Sequence, residues 1–308
     1  MRIASLLPAA TEMVAALGAG DELVAISHEC DWPAEVTGLP RVTSSPIDPS
    51  IGSGAIDRAV AEMLARGELV IGVDSSALRH ADPDVVITQS LCEVCAVDGR
   101  EVRPLVDGLD RPARIVKLGG HDLAGVYDDI LAVGRSLGRS EEATELVRRM
   151  RDRLAAVCDT PFGRAGLRPR VVCVEWLDPL YLAGHWVPEL VDAAGGIDVG
   201  ARPGERSRRL AWSEIEALEP DVVLVALCGF GVERSRKELA SLSDPDARRV
   251  LAGCPVAVID GNAYTSRSGP RLAEAAEVIR DAIHVASETR RRAPDATNSP
   301  GPLSNSVS

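Results

Sequence analysis

The chain has 308 residues and a mass of 32.6 kDa, more than one hydrophobic core comfortably serves, so two lobes of ordinary size are expected. Its net charge is −12, and because the last twenty residues carry +2 from Arg290, Arg291, Arg292 and Asp295, the body holds −14, a charge that repels nucleic acid and anionic lipid. Four Trp, three Tyr and two Phe make only 3% of the chain, so the core is aliphatic and each ring marks a position.

Apolar runs that read as strands alternate with helical ones. Ile3–Leu7 is a strand, Ala9–Leu17 a helix closed by Gly18 and Gly20, and Leu23–Ser27 a second strand. This βαβ unit predicts a parallel sheet with helices on its faces. Pro8 and Glu12 interrupt the apolar run of residues 1–20, which is not the pattern of a secretory signal. The expected location is therefore cytoplasmic, or periplasmic or at the cell surface if the true start lies upstream. No run of eighteen apolar residues occurs, so no membrane span is expected.

A helix over Ile56–Arg66, a buried strand at Val85–Thr88 and a strand at Arg114–Leu118 complete a first α/β lobe over residues 1–120. Helices over Asp122–Leu137 and, after the N-cap residue Ser140, from Glu141 to Cys158 bridge residues 121–160, the second being about 27 Å long at 1.5 Å per residue. A second lobe, residues 161–288, follows: strand Val171–Glu175, helix Pro188–Ala194, helix Trp212–Leu218, strand Val222–Leu227, a largely helical Arg234–Leu251, strand Val256–Ile259 and a closing helix Pro270–Glu288. Residues 289–308 are polar and Pro-rich and read as a disordered tail. Asp82-Pro83-Asp84-Val85-Val86-Ile87 is matched by Glu219-Pro220-Asp221-Val222-Val223-Leu224, and each lobe opens with an arginine, Arg2 or Arg170, which points to a pseudo-repeat.

Ligands of open parallel α/β sheets sit at the carboxyl ends of the strands. The predicted strand ends carry His28 and Trp32 after the second strand, Trp176, Tyr181, His185 and Trp186 after Val171–Glu175, and Phe230 after Val222–Leu227. Five of nine rings thus fall on one crevice, an arrangement suited to a flat apolar ligand. Trp212 stands apart as a core residue. Cys30, Cys92 and Cys95 also lie on strand-end loops; with His28 they supply ligand types for zinc, and a cysteine-rich set can hold an iron–sulfur cluster or cycle as a redox pair. Inert buried thiols are the competing reading. Phosphate-cradling, serine-hydrolase and zinc-peptidase motifs are absent, so no catalytic residue is assigned and the chain is read as a non-enzyme.

Leu6–Glu12, His28–Pro33, the Pro-Asp-Val-Val strands, Gly184-His185-Trp186-Val187-Pro188-Glu189 with Gly195-Gly196, and Ser268-Gly269-Pro270-Arg271 together resemble the ABC-transporter solute-binding proteins for cobalamin, haem and iron–siderophores, the cobalamin-binding branch above all. The resemblance covers residues 2 to about 285. It implies a class III periplasmic-binding-protein-like α/β fold: two Rossmann-like lobes with parallel sheets, joined by a long bridging helix, clasping a ligand with little hinge motion. Carried onto matching positions, it lines the cleft with Pro8, Ala9, Trp32, Trp176, His185 and Trp186. The implied ligand is cobalamin or a related corrinoid, metal tetrapyrrole or iron complex. The implied partner is an ABC permease if the chain is exported, and the chain itself is expected to be a monomer. The alternative is a metal or iron–sulfur protein built on Cys30, Cys92 and Cys95, redox active or acting on a corrinoid.

Overall fold

The computed structural model describes residues 1–90, 99–158 and 168–292. The chain begins with β1 (Ile3–Ser5), α1 (Pro8–Ala16) and β2 (Leu23–Ile26), then β3 (Thr43–Ser44), α2 (Ser53–Ala65), β4 (Gly72–Val73), α3 (Ser75–Ala81), β5 (Val85–Gln89), α4 (Gly99–Asp107) and β6 (Arg114–Leu118). The four strands β2-β1-β5-β6 pair in that order, all parallel, and β3 and β4 form a small antiparallel pair. Every residue of β1 and β5 is buried, as covering a sheet on both faces requires. Pro8 starts α1, where its missing N–H costs nothing, and Gly18 leaves the helix in the left-handed conformation at φ 72°.

Two helices follow, α5 (Leu123–Leu137) and α6 (Ser140–Cys158), where the chain passes from the first sheet to the second. Asp122 caps α5 by accepting from the Gly125 N–H at 2.7 Å, and Gly138 ends it at φ 69°. The nineteen residues of α6 span about 28 Å, and α6 packs against both α5 and the last helix.

The second sheet is built from β7 (Arg170–Leu177), β8 (Leu180–Leu182), α7 (Val187–Ala193), β9 (Ile197–Asp198), β10 (Arg208–Arg209), α8 (Trp212–Ile215), β11 (Val222–Val225), α9 (Val232–Ser241), α10 (Pro245–Gly253), β12 (Val256–Val258), α11 (Gly261–Tyr264) and α12 (Leu272–Arg292). Its order is β10-β8-β7-β11-β12, with β9 beside the start of β7. Strands β7, β11 and β12 run parallel, while β8 folds back antiparallel on β7 and β10 on β8.

Three expectations change here. The segment holding Trp176 and Tyr181 is a hairpin and not a strand-end loop: Trp176 on β7 faces Tyr181 on β8 across the turn at Asp178 and Pro179. The helix expected over Arg234–Leu251 is two helices, because Asp244 accepts from the N–H groups of Asp246 and Ala247 and Pro245 opens a new first turn. The closing helix runs on to Arg292, into the segment read as a tail; the remainder of that segment lies outside the described residues.

The pseudo-repeat has a physical basis in a pair of matching arginine clamps. The Arg2 N–H donates to Asp84 at 2.8 Å while its guanidinium donates to the carbonyls of Ala81 at 2.7 Å and Asp82 at 3.0 Å. The Arg170 N–H likewise donates to Asp221 at 2.9 Å, and its guanidinium to the carbonyls of Leu218 at 2.7 Å and Glu219 at 2.9 Å. Asp82 and Glu219, the clamped residues, both take the left-handed conformation, at φ 42° and 45°.

One continuous cluster of buried side chains runs from β1 and β5 through α1, α5, α6 and α12 into β7 and β11. The outer face of each sheet has its own smaller core, Ala4, Leu78, Val86 and Val102 on the first and Val172, Trp212, Val223 and Val250 on the second. Trp212 is a core residue, as the sequence suggested. A shared central core holds the two lobes as one packed body, because separating them exposes apolar surface that folding had covered.

Candidate functional site

The carboxyl ends of the strands bring together segments from both lobes. Ser53 of α2 donates its N–H to Glu238 of α9 at 3.0 Å, and Arg234 donates to the Ile51 carbonyl at 2.9 Å. On the other side of the lobe contact the Leu123 N–H donates to Glu189 at 2.7 Å.

The first wall is formed by the start of α1 and the loop after β2. Pro8 is half-buried, Ala9 is buried, and no side chain caps the helix start. His28 is half-buried, with Nδ1 2.7 Å and backbone N 2.9 Å from Thr43 Oγ1. Burial, followed by the charge of Arg41, pushes its imidazole below the ordinary value and keeps it neutral. Trp32 is 50% exposed, with the Arg271 guanidinium 5.1 Å from its ring centre. An open pocket of about 270 Å³ adjoins it, lined by Glu12, Ala15, Trp32, Pro33, Pro270 and Arg271.

The second wall is the β7–β8 hairpin with the loop after β11. Trp176 and Tyr181 are half-buried, and the Trp176 indole N–H donates to the Asp178 carbonyl at 3.1 Å. Its ring lies 5.3 Å from Phe230, which is only 4% exposed and carries Arg234 over its face at 3.5 Å. Phe230 is thus a platform beneath Trp176 and Arg234, and the direct cleft contact expected of it is replaced by this supporting position.

His185 sits ahead of α7 in the left-handed conformation at φ 54°, held by its N–H donating to the Glu205 carbonyl at 2.7 Å and by Gly204 donating to its own carbonyl at 2.9 Å. Its ring lies 5.8 Å from that of His121, a contact between the start of the bridge and the second lobe that chain order alone does not suggest. Burial, then His121 and Arg206, push the His185 imidazole down. Trp186, expected in the cleft, is a core residue: it is 5% exposed, and its indole N–H donates to the Thr265 carbonyl at 2.9 Å.

Cys30 is wholly buried behind α1, its sulfur 3.1 Å from Thr11 Oγ1, and burial pushes its thiol up. That position suits packing, and it corrects the reading of Cys30 as a metal ligand open to the crevice. Cys92 and Cys95 lie outside the described residues. Among the described residues no group of three or more His, Cys, Asp or Glu is arranged to hold a metal ion.

An ion cluster that sequence reasoning missed joins the lobes beneath the crevice. Arg267 donates to Glu12 at 2.8 Å, pairs with Asp31 at 2.6 Å and donates to Asn262 at 3.0 Å, while Asn262 in turn donates to Asp31 at 3.0 Å. The side chains of Arg267 and Glu12 are 4% and 2% exposed. Burial pushes the Glu12 carboxyl above its ordinary range against the pull of Arg267; burial also acts on Asp31, but there Arg267 wins and holds the carboxyl down. The sequence signal was Glu12 itself, an acid on the apolar face of a helix that needs a buried cation.

A family model described as periplasmic binding protein matches residues 3–244. A curated protein of Halobacterium salinarum, described as a cobalamin-binding protein, is 26% identical over 164 residues, 52% of this chain and 44% of that relative, so the match spans under half of the relative's length. Among solved structures, the apo periplasmic heme-binding protein RhuT from Roseiflexus sp. RS-1 superposes with a TM-score of 0.66 at 21% identity, covering 93% of this chain and 98% of that one. The periplasmic vitamin B12 binding protein BtuF of Vibrio cholerae superposes with a TM-score of 0.64 at 19% identity, again over 93% and 98%. At these identities the likeness is one of fold, and the fold is that of the class III binding proteins.

Proposed function

The chain belongs to the periplasmic binding protein family, and from that premise we propose that it binds a corrinoid, cobalamin or a close relative, in the crevice between its lobes and delivers it to an ABC permease. The observation that carries the reading is the pairing of two unlike walls. Trp32, His28 and the uncapped start of α1 lie at the strand ends of the first lobe, and Trp176, Tyr181 and His185 on the β7–β8 hairpin and ahead of α7 in the second; the proposal has the ligand between these two groups. A corrinoid has a broad apolar face for the rings and amide-bearing edges for the polar groups, so both kinds of surface find a match. The cobalamin-binding description of the Halobacterium relative supports the same ligand class.

The lobe division at residues 1–120 and 161–288, with 121–160 as the bridge, belongs to this proposal, as does the direct role of Pro8, Ala9, His28, Trp32, Trp176, Tyr181 and His185. Delivery to a permease requires the chain outside the cytoplasmic membrane, and cell fractionation tests this. No helix among the described residues is long and apolar enough to cross a membrane.

Titration of the purified chain with cobalamin, dicyanocobinamide and haemin, followed by visible absorbance and calorimetry, tests the reading. Saturable 1:1 binding of a corrinoid is expected, and silence with both corrinoids refutes it.

A further inference from the structure

Resting on the corrinoid reading, we propose that residues 45–71 form a flap latched to the second lobe by the first turn of α2, and that ligand enters and leaves the crevice when this latch opens. The flap leaves the first lobe at β3 and returns at β4, and these two strands pair directly, Thr43 with Val73 and Ser44 with Gly72. Its two roots therefore lie side by side, as a hinge requires. Of the thirteen residues of α2 only Ser53 and Met63 are buried, and Ile47 and Val60, which pack against the outer core of the first sheet, are only partly so. Little apolar surface holds such a segment, and its local opening costs correspondingly little.

The tip of the flap sits on segments that follow the carboxyl ends of β7 and β11, the side of the sheet where ligands of this architecture bind. The Ser53 N–H is one of the donors that a helix start leaves without an intrahelical partner, and it donates to Glu238 of α9 at 3.0 Å. Arg234, whose guanidinium covers the Phe230 ring beneath Trp176, donates to the Ile51 carbonyl at 2.9 Å. Asp178, in the turn between β7 and β8, lays its carboxylate so close to Gly54 that a methyl group there would overlap it. Ile56 packs against the outer core of the second sheet, the cluster that holds Phe230 and Leu177. Two carboxylates thus meet the amino end of α2, where its dipole favours negative charge. The whole attachment is made by one turn of helix and its entry, and it is largely polar, so it can break and reform without unfolding either lobe.

Two variants of the full chain release the latch and leave the ring-bearing walls untouched. Ser53→Pro removes the donated N–H: Ser53 is the first residue of α2, where proline fits a helix, and Gly52 before it is extended at φ −66° and ψ 157°, as a residue preceding proline must be. Glu238→Ala removes the acceptor. Association and dissociation rates with cyanocobalamin, measured by stopped flow, are expected to rise together by about tenfold in each variant, the effect of losing one charge-assisted bond. The dissociation constant should stay within about twofold, because opening becomes easier by the same factor in the free and the loaded chain. Unchanged rates overturn the proposal, and so does faster dissociation alone with weakened affinity, which makes α2 a ligand contact and not a gate. Hydrogen exchange gives a reading that needs no ligand: Ser53→Pro should speed exchange about tenfold both in α2 and in the β7–β8 hairpin beneath it, with β1 and β5 unchanged. A rise in α2 alone is fraying of a helix end and overturns the latch. Failure of the parent chain to bind cyanocobalamin or dicyanocobinamide removes the corrinoid reading, while the exchange result still decides whether the flap opens.

Discussion

Replacing Arg267 by Met removes the nearer of two cations from Glu12, which is 2% exposed, and leaves the Arg271 guanidinium 3.7 Å from the same carboxylate oxygen. The Glu12 carboxylate then has two choices: to remain charged in a buried site, or to take up a proton. Protonating a carboxyl of ordinary value 4.5 at pH 7 costs about 3.4 kcal/mol, at about 1.4 kcal/mol per pH unit, and this caps the charge penalty. The lost contacts to Asp31 and Asn262 add about 1 kcal/mol, since Asp31 is 55% exposed. The loss at pH 7 is therefore at most about 4 kcal/mol, and roughly 2–4 kcal/mol with Arg271 still beside Glu12, toward the low end of what deleting one partner of a buried pair costs.

The pH dependence separates this cause from simple loss of packing. In the variant, Glu12 has a folded-state pKa raised further above its unfolded value, so the folded state binds more protons between those values and stability falls as pH rises through that window. The deficit relative to the parent should therefore shrink by about 2–3 kcal/mol between pH 7 and pH 5. Urea unfolding at both pH values, with a constant slope against denaturant, reads it out. A deficit below about 1 kcal/mol at pH 7, or one equal at the two pH values, refutes the reasoning.

Trp186→Phe should cost about 1–2 kcal/mol of unfolding free energy, because the Thr265 carbonyl loses its donor inside the core, while corrinoid affinity stays within about twofold; a large loss of affinity would return Trp186 to the cleft. Arg2→Ala and Arg170→Ala should destabilise by similar amounts, about 1–2 kcal/mol each, since the two clamps make matching bonds; thermal unfolding that differs several-fold between them would deny the structural repeat. Burial pushes the Asp198 carboxyl up to about 6 from 3.8, against the N–H groups of Gly200 and Ala201. Its contribution is thus lost as pH rises between about 4 and 6, and Asp198→Asn should flatten the stability profile in that interval; an unchanged profile would show that Asp198 ionises normally.

The fold was legible to a large degree. Alternating apolar runs, Pro at α1, Asp122 ahead of α5 and Gly138 after it mark elements whose bounds depend on bonds made within a few residues. The paired Pro-Asp-Val-Val segments disclosed the repeat for the same reason: the clamp needs only a strand, a left-handed residue and an arginine at the start of the neighbouring strand. The crevice was partly legible, because parallel strands leave their carboxyl ends on one side and the rare rings fall near them. The hairpin carrying Trp176 and Tyr181 was misjudged, since β8 is a three-residue strand stabilised by its partner on β7.

What the sequence by itself determined is therefore the local grammar: which segments become strands and helices, how the two lobes succeed one another, and which side of each sheet collects unusual residues. Only the tertiary structure decided which of those residues meet solvent and which meet one another. Trp32 and Trp186 have similar local settings, yet one is 50% exposed and the other is sealed against the Thr265 carbonyl, 79 positions away. Glu12 finds its cation 255 positions along the chain. Burial of a ring and pairing of a charge depend on what a distant segment covers, and no pattern within one helix or loop carries that information.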